Sequence, residues 1–489
     1  MSGTVRKALL WSFAERYFSL GITVVSTMVL ARLLTPAQVG VFSVCAAFTA
    51  IAGILRDFGV SEFLIQEKEL TKDKIKAAFG IAIVVAWSIG LIVFFSRSFV
   101  ASYFAEPGVA KVLAVLSLNF FILPFASPAF ALLNREMAFR KIFIVQTVAN
   151  TVQTVSAISL ALNGFSYMSL AWAPVISITC QTLLLSYLRP RDSFVWPSLK
   201  HANSVLGFGS MFVSSRVIET LTNNTHEFFI AKQFGFASVG IFSKAAGLMD
   251  LFHHNVASAI MRVATPAFAK DHRAGNSLVE SYARGTAILT SLSWPFFGFV
   301  AIASGPIIRV LFGANWDAAA AVATILAITI LPNAMMNLAP NLLAATGNIK
   351  RRLKVTLVYA PIHIILIALA STFSLKAMAA VFGLSNAIMV FLYLRQVSAI
   401  LETRIRDILR PSLASLWVAL VSVSLQALAF EACVLLELPS LISLIVTGVA
   451  AVLGWILCAR AINHPAYIEL SRLVLDAWNR KKARSAKTP

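Results

Sequence analysis

The sequence predicts an all-α membrane protein of about fourteen transmembrane helices: two pseudo-symmetric six-helix bundles followed by a C-terminal helical hairpin. Three observations carry this: the apolar composition, the placement of the basic residues, and an internal repeat at an offset of 200. Hydrophobic residues make up 58% and charged residues 13% of 489 positions, whereas roughly a quarter of a soluble domain is charged. Mean hydropathy is +0.81. The net charge of +20 could suggest nucleic acid, but the basic residues sit in short loops between apolar runs rather than on a soluble face, so topology is the better account. Cys45, Cys180, Cys433 and Cys458 each fall inside an apolar run without CxxC spacing, which argues for packing residues over a disulfide or zinc framework.

A span needs about twenty mostly apolar residues. Such stretches occur at roughly 8–31, 38–58, 77–96, 112–133, 142–163, 166–188 and 205–231, then at 237–264, 285–304, 318–345, 353–373, 377–400, 412–436 and 440–459. The runs are long and continuous, without the alternation of a transmembrane strand, so helices are expected. The basic start MSGTVRKALLWSF leads into an apolar run that continues to about Ala31 with no short core and cleavage site, which reads as a retained first span. With the N-terminus inside, 31 lysines and arginines fall in cytoplasmic loops and 6 in outer loops. This positive-inside bias places both termini in the cytoplasm. The outer connections are short and leave no extracytoplasmic domain.

ARLLTPAQVGVFS at Ala31 to Ser43 is echoed by AKQFGFASVGIFS at Ala231 to Ser243, with Ala37/Ala237, Val39/Val239, Gly40/Gly240, Phe42/Phe242 and Ser43/Ser243 identical. Pro124 and Pro332 stand in matching helices, and LLNREMAFRK and LLAATGNIKRR follow them. Six helices separate the copies, so both enter the membrane with the same polarity, and the substrate path is expected between two parallel lobes. The expected divisions are 1–200 and 201–404 for the lobes, 405–462 for helices thirteen and fourteen, and 463–489 for a basic cytoplasmic tail.

The first helix carries Ser12, Arg16, Ser19, Thr23 and Thr27 on one face, and the seventh carries Arg216, Glu219, Asn223 and Glu227 at corresponding positions. The eighth adds Lys244, Asp250, His254 and Arg262, and the second ends in Arg56 and Asp57. Each charge near the bilayer centre costs roughly 2.5–3.5 kcal/mol, so the stripes should face a wet cavity. The competing reading is helix–helix glue, with Arg216 pairing to Glu219 or Glu227; recurrence at one register favours the cavity. His226, His253 and His254 read as polar liners rather than metal ligands, since no HExxH spacing occurs. With no P-loop or GxGxxG fingerprint, neither a cofactor nor nucleotide hydrolysis by this chain is expected. The RKKARSAK tail reads as positive-inside anchoring with some attraction to anionic lipid.

The segments LARLLTPAQVGVFS, LLNREMAFRK, LFGANWDAAAAVATILAI and LLAATGNIKRR, together with the helix count, resemble polysaccharide transporters of the Wzx type, over essentially residues 1–460. Their superfamily also holds multidrug and toxin extruders and lipid II flippases. The resemblance implies a multi-pass bacterial inner-membrane flippase that is not an enzyme and works by alternating access. Its cargo would be a polyprenyl-diphosphate-linked glycan whose chain stays in membrane lipid, with polysaccharide polymerase and co-polymerase proteins as partners and no nucleic acid. Lipid II flippases use arginines in the first, second and eighth helices, so Arg16, Arg56 and Arg262 are positional candidates. The full candidate set is Arg16, Ser19, Thr23, Arg56, Arg216, Glu219, Asn223, Lys244, Asp250 and Arg262. Two alternatives stay open: a cation-coupled drug antiporter, for which Glu15, Asp57, Glu219, Glu227 and Asp250 speak, and a membrane-embedded glycan polymerase or ligase, against which the short outer loops argue.

Overall fold

A computed structural model describes residues 3–57, 59–67, 69–188, 196–200 and 202–472, with Leu475 and Trp478; for 3–16, 62, 66 and 202–215 it describes the backbone alone. Among the described residues, twelve helices are long and apolar enough to cross a membrane, and Tyr17–Leu33 adds a shorter apolar one. The chain is a multi-pass, all-α membrane protein. Its helices are α1 (Gly3–Leu33), α2 (Pro36–Asp57), α3 (Val60–Gln66), α4 (Lys72–Phe104), α5 (Pro107–Ile122), α6 (Ser127–Arg135), α7 (Phe139–Leu162), α8 (Tyr167–Leu188) and α9 (Ala202–Phe252). There follow α10 (Ser258–Arg273), α11 (Leu278–Leu311), α12 (Ala318–Thr329), α13 (Ala339–Ala345), α14 (Ile349–Ala370), α15 (Leu375–Leu401), α16 (Ile405–Leu435) and α17 (Ser440–Ala461).

Two expected spans contain a break, although 318–345 stands as a span at the expected bounds. Neither 112–133 nor 318–345 is one unbroken helix: 3-10 turns at Leu123–Phe125 and Leu331–Met335 interrupt them, and α6 and α13 follow as separate short helices. The cause is Pro124 and Pro332, each of which lacks an N–H and crowds the carbonyl one turn back. The segment Arg216–Arg273 has 58 residues, about 87 Å at helical rise against a hydrocarbon layer of about 30 Å. Gly235 divides it, at φ 78° and ψ 170°, a conformation open to glycine.

By contacts the chain forms two compact units, Met1–Ser243 with Leu311–Asn315, and Lys244–Val310 with Trp316–Pro489. In the first unit α1 packs on α7, α2 on α4, α5 and α8, and α7 on α8. A core of Val41, Cys45, Val109, Val112, Leu113, Leu116 and Val175 lies between α2, α5 and α8. In the second, α12 packs on α15, α14 on α15, and α13 on α14. These repeat the pairings of α5 with α8, α7 with α8 and α6 with α7. Helices α16 and α17 form a tight hairpin: Ser422 Oγ donates to the Ala451 carbonyl at 2.8 Å, and a Cβ on Gly454 would lie 2.8 Å from Ser422 Cα. Small residues at the seam let the two backbones approach, while Ile445, Val449, Val452 and Leu457 point outward and exposed, as lipid requires.

The two copies of the repeated motif meet within the first unit. Thr35 and Gln38 form a capping box, in which Thr35 N donates to Gln38 Oε1 at 3.0 Å and Gln38 N to Thr35 Oγ1 at 3.3 Å. The α2 start so fixed lies against the α9 turn that follows Gly235. A Cβ on Gly40 would overlap the Phe236 carbonyl oxygen, and one on Gly240 would overlap that of Pro36. Ser43 Oγ donates to Ser243 Oγ at 3.2 Å. Positions 36, 40 and 43 thus meet 240, 236 and 243, the reciprocal pattern of a local two-fold axis.

Between the expected spans 38–58 and 77–96 the structure has the short helix α3. Its C-terminal carbonyls are clamped by Arg135, whose Nη1 donates to the carbonyls of Leu64 at 2.9 Å and Glu67 at 2.6 Å. Lys74 Nζ binds the Glu67 carboxylate at 2.9 Å, and that hydrogen bond is the main reason the Glu67 carboxyl titrates below its ordinary range. Arg135→Ala should destabilise the folded protein by about 1.5–3 kcal/mol, the value of hydrogen bonds from a charged donor. Thermal unfolding in detergent would check this, with Arg135→Lys intermediate.

Candidate functional site

The first unit holds a polar cavity of about 530 Å³ between α2, α5, α7 and α8. On α7, Gln146, Asn150 and Gln153 follow one another at spacings of four and three, which places their side chains on one face. Gln181 faces them from α8 and Asn119 from α5. Arg56 and Asp57 close the lining at the end of α2. A smaller cavity of about 220 Å³ shares Asn150, Gln153 and Pro174 with the first and reaches Thr23, Ser26 and Thr27 on α1. Asn150 Nδ2 donates to Ser19 Oγ at 2.9 Å, so α7 links the α1 stripe to this site.

Arg56 is the cation of the cavity lining. Its Nη2 and Nε donate to Asp57 Oδ1 at 2.6 and 2.9 Å, and its guanidinium lies 5.5 Å from the Phe120 ring centroid. The Arg56 side chain is 20% exposed and that of Asp57 55%. Several amides have spare bonding capacity. Asn119 Oδ1 is buried with no hydrogen-bond partner among the described residues, and the amides of Gln146, Gln153 and Gln181 bond to none of them either.

Of the residues singled out in the sequence, Arg56 lines the larger cavity, Thr23 the smaller, and Ser19 bonds to Asn150, which lines both. Arg16 lies in α1, and its side chain is outside the described residues, as are those of Ser12 and Glu15. Arg216, Glu219 and Asn223 share α9, with Arg216 and Asn223 exposed. Lys244, Asp250 and Arg262 belong to the second unit. There Lys244 Nζ stands 5.6 Å from the Trp316 ring, Asp250 and Arg262 are exposed, and a π-turn at His253–Ala257 presents His253 and His254. Glu227 Oε2 is buried with no hydrogen-bond partner among the described residues. The second unit also has a cleft of about 590 Å³ lined almost wholly by apolar side chains, among them Trp294, Phe297, Leu331, Met335, Leu413 and Leu416.

The sequence reading overlooked the amides of α7. The run QTVANTVQT from Gln146 carried the signal, a polar stripe at helical spacing inside an apolar span. Being uncharged, the stripe stands out less than the charged ones.

Comparison with known proteins decides the family. The pattern of the polysaccharide biosynthesis protein family matches residues 29–321, well over half of the chain. The chain belongs to this family. Among its relatives, the lipopolysaccharide biosynthesis protein WzxC of Escherichia coli (strain K12) is 23% identical over 344 residues, covering 69% of each chain. The succinoglycan biosynthesis transport protein ExoT of Rhizobium meliloti (strain 1021) is 26% identical over 330 residues, 67% of this chain and 66% of that protein. In fold the chain is similar to the lipid II flippase MurJ in an inward closed conformation, with a TM-score of 0.73, 13% identity, and coverage of 93% of this chain and 99% of that one.

Proposed function

We propose that this member of the family carries a polyprenyl-diphosphate-linked oligosaccharide from the cytoplasmic to the outer leaflet of the bacterial inner membrane by alternating access, without catalysing a reaction. The observation that carries the reading is a cavity lined by five amides and an arginine, set among the apolar helices of a polysaccharide biosynthesis protein. A charged, sugar-bearing head needs such a compartment to leave one leaflet, because lipid offers it no partners. The lobes are 1–200 and 201–404, with the hairpin at 405–462 and the tail at 463–489. Fourteen crossings follow if the Gly235 break separates two of them and α1 is one. Both termini then lie in the cytoplasm, as the basic residues require.

In this reading Arg16, Arg56, Arg216 and Arg262 hold the diphosphate by charge-assisted hydrogen bonds. Ser19, Thr23 and Asn223 meet sugar hydroxyls, and Glu219, Lys244 and Asp250 complete the polar lining. The apolar cleft of the second unit suits a hydrocarbon chain. An anion leaving a negative interior gains about 2.3 kcal/mol per charge per 100 mV, so outward flipping needs no nucleotide. Polymerase and co-polymerase proteins would take up the exported repeat unit. Deleting the gene should make one lipid-linked glycan accumulate on the cytoplasmic leaflet. Arg16→Ala or Arg216→Ala, in protein that still reaches the membrane, should abolish surface glycan; full export by both variants would overturn the reading.

A further inference from the structure

The amide row of α7 and α8 carries no charge for a diphosphate, and its mixed donors and acceptors point to a further partner. Gln146, Gln153, Gln181 and Asn119 are neutral groups that face one cavity and carry unspent donors and acceptors. Asn119 Oδ1 is buried, Gln146 and Gln181 are half-buried and Gln153 is exposed, so the row stands open to an occupant of the cavity that bonds both ways. Phosphate asks for cations, and the lining supplies Arg56 at one end. A lipophilic cation asks for carboxylates and aromatic faces; Asp57 is already occupied by Arg56, and Phe120 by the same guanidinium. Sugar hydroxyls are donors and acceptors at once, and a carboxamide matches a pair of them.

The layout also has a direction. Arg56 sits at the last turn of α2 and shares the lining with Gln146 and Gln181, while Gln153 lies seven residues beyond Gln146, about 10 Å further along α7 at helical rise. At about 530 Å³ the cavity is of small-molecule size.

We infer that this cavity, wholly within the first unit, is a sugar-recognition subsite: it receives the sugar nearest the diphosphate and reads its hydroxyl or N-acetyl pattern through Gln146, Gln153, Gln181 and Asn119. The inference rests on the transport reading above and deepens it. Asn119 Oδ1, a buried acceptor without a donor among the described residues, selects a hydroxyl or amide N–H. Gln146, Gln153 and Gln181 set which sugars are tolerated, whereas Arg56 holds every diphosphate carrier alike.

The test measures binding to the full-length protein in lipid nanodiscs. The probes are undecaprenyl diphosphate without sugar and the same carrier bearing one hexose, one N-acetylhexosamine or one hexuronic acid. Wild type should bind at least one sugar-bearing probe about tenfold more tightly than the bare carrier, the worth of one or two net hydrogen bonds. Gln146→Leu/Gln153→Leu should bring that preference to within about twofold while the bare carrier binds as before. Should the double variant fail to insert, Gln153→Ala and Gln181→Ala singly should each cut the preference about threefold. Arg56→Ala should weaken all four probes alike. No sugar preference in wild type, or a preference that survives the glutamine variants, overturns the subsite and leaves the transport reading standing. Failure of the transport reading is distinct: no probe, with or without sugar, binds better than undecaprenol.

Discussion

Replacing Gly40 by alanine should remove most folded protein from the membrane, and Gly40→Val should remove essentially all of it. The reason is geometric. A Cβ at position 40 would fall on the carbonyl oxygen of Phe236, and one at 240 on that of Pro36. Backbone atoms cannot rotate aside as a side-chain end can, so relief requires α2 and the second half of α9 to separate. Separation would break the Ser43–Ser243 hydrogen bond and open the packing around Val39, Val239 and Phe242, all buried. A loss above about 4 kcal/mol is expected, the range reserved for such disruptions. Gly240→Ala should match it, because the contact is reciprocal. Gly21 is the control: a Cβ there meets nothing within 4 Å, so Gly21→Ala should be neutral or slightly stabilising. Yield of monodisperse protein and thermal unfolding distinguish these outcomes. Equal behaviour of Gly40→Ala and Gly21→Ala would contradict the crossing.

That crossing was half legible in the sequence. The identity of Gly40 with Gly240 and of Ser43 with Ser243 was plain, and it announced a repeat; that the two copies meet each other could not be read, because repetition fixes register and not contact. Span positions were legible because roughly twenty apolar residues have no other use. Breaks within them are less so: Pro124 and Pro332 interrupt their spans, yet Pro174 and Pro361 sit inside helices that continue through them. Whether a proline ends a helix depends on what surrounds the freed carbonyl, which is tertiary information. The same holds for the site. Charged stripes stand out in the sequence because charge in lipid is costly, but the polar side chains lining the cavity of the first unit are mainly amides, which hydropathy marks only mildly. Arg56 was named by position in its helix, and its pairing with Asp57 came from the fold.

That pairing determines how the arginine should behave. Arg56→Ala should lower export of surface glycan more than tenfold, and Asp57→Asn should not lower carrier affinity but raise it. In the ground state the guanidinium donates twice to one oxygen of Asp57, at 2.6 and 2.9 Å. The acid is more than half exposed, and exposed pairs of this kind contribute about 0–1 kcal/mol. A diphosphate brings several acceptor oxygens, and hydrogen bonds to a charged partner are worth about 1.5–3 kcal/mol, so it competes well for the same donors. Removing the competitor should therefore tighten binding of undecaprenyl diphosphate by up to about fivefold, the equivalent of 1 kcal/mol. Lysine at 56 keeps the charge but loses the planar fork, and should recover only part of the affinity. Asp57→Asn would then export more slowly at saturating carrier, because a tighter ground state is harder to leave. If Asp57→Asn instead destabilised the protein while Arg56→Ala exported normally, the pair would be packing for the end of α2 against Phe120. Export and carrier binding measured on both variants decide between a displaceable counter-ion and a strut.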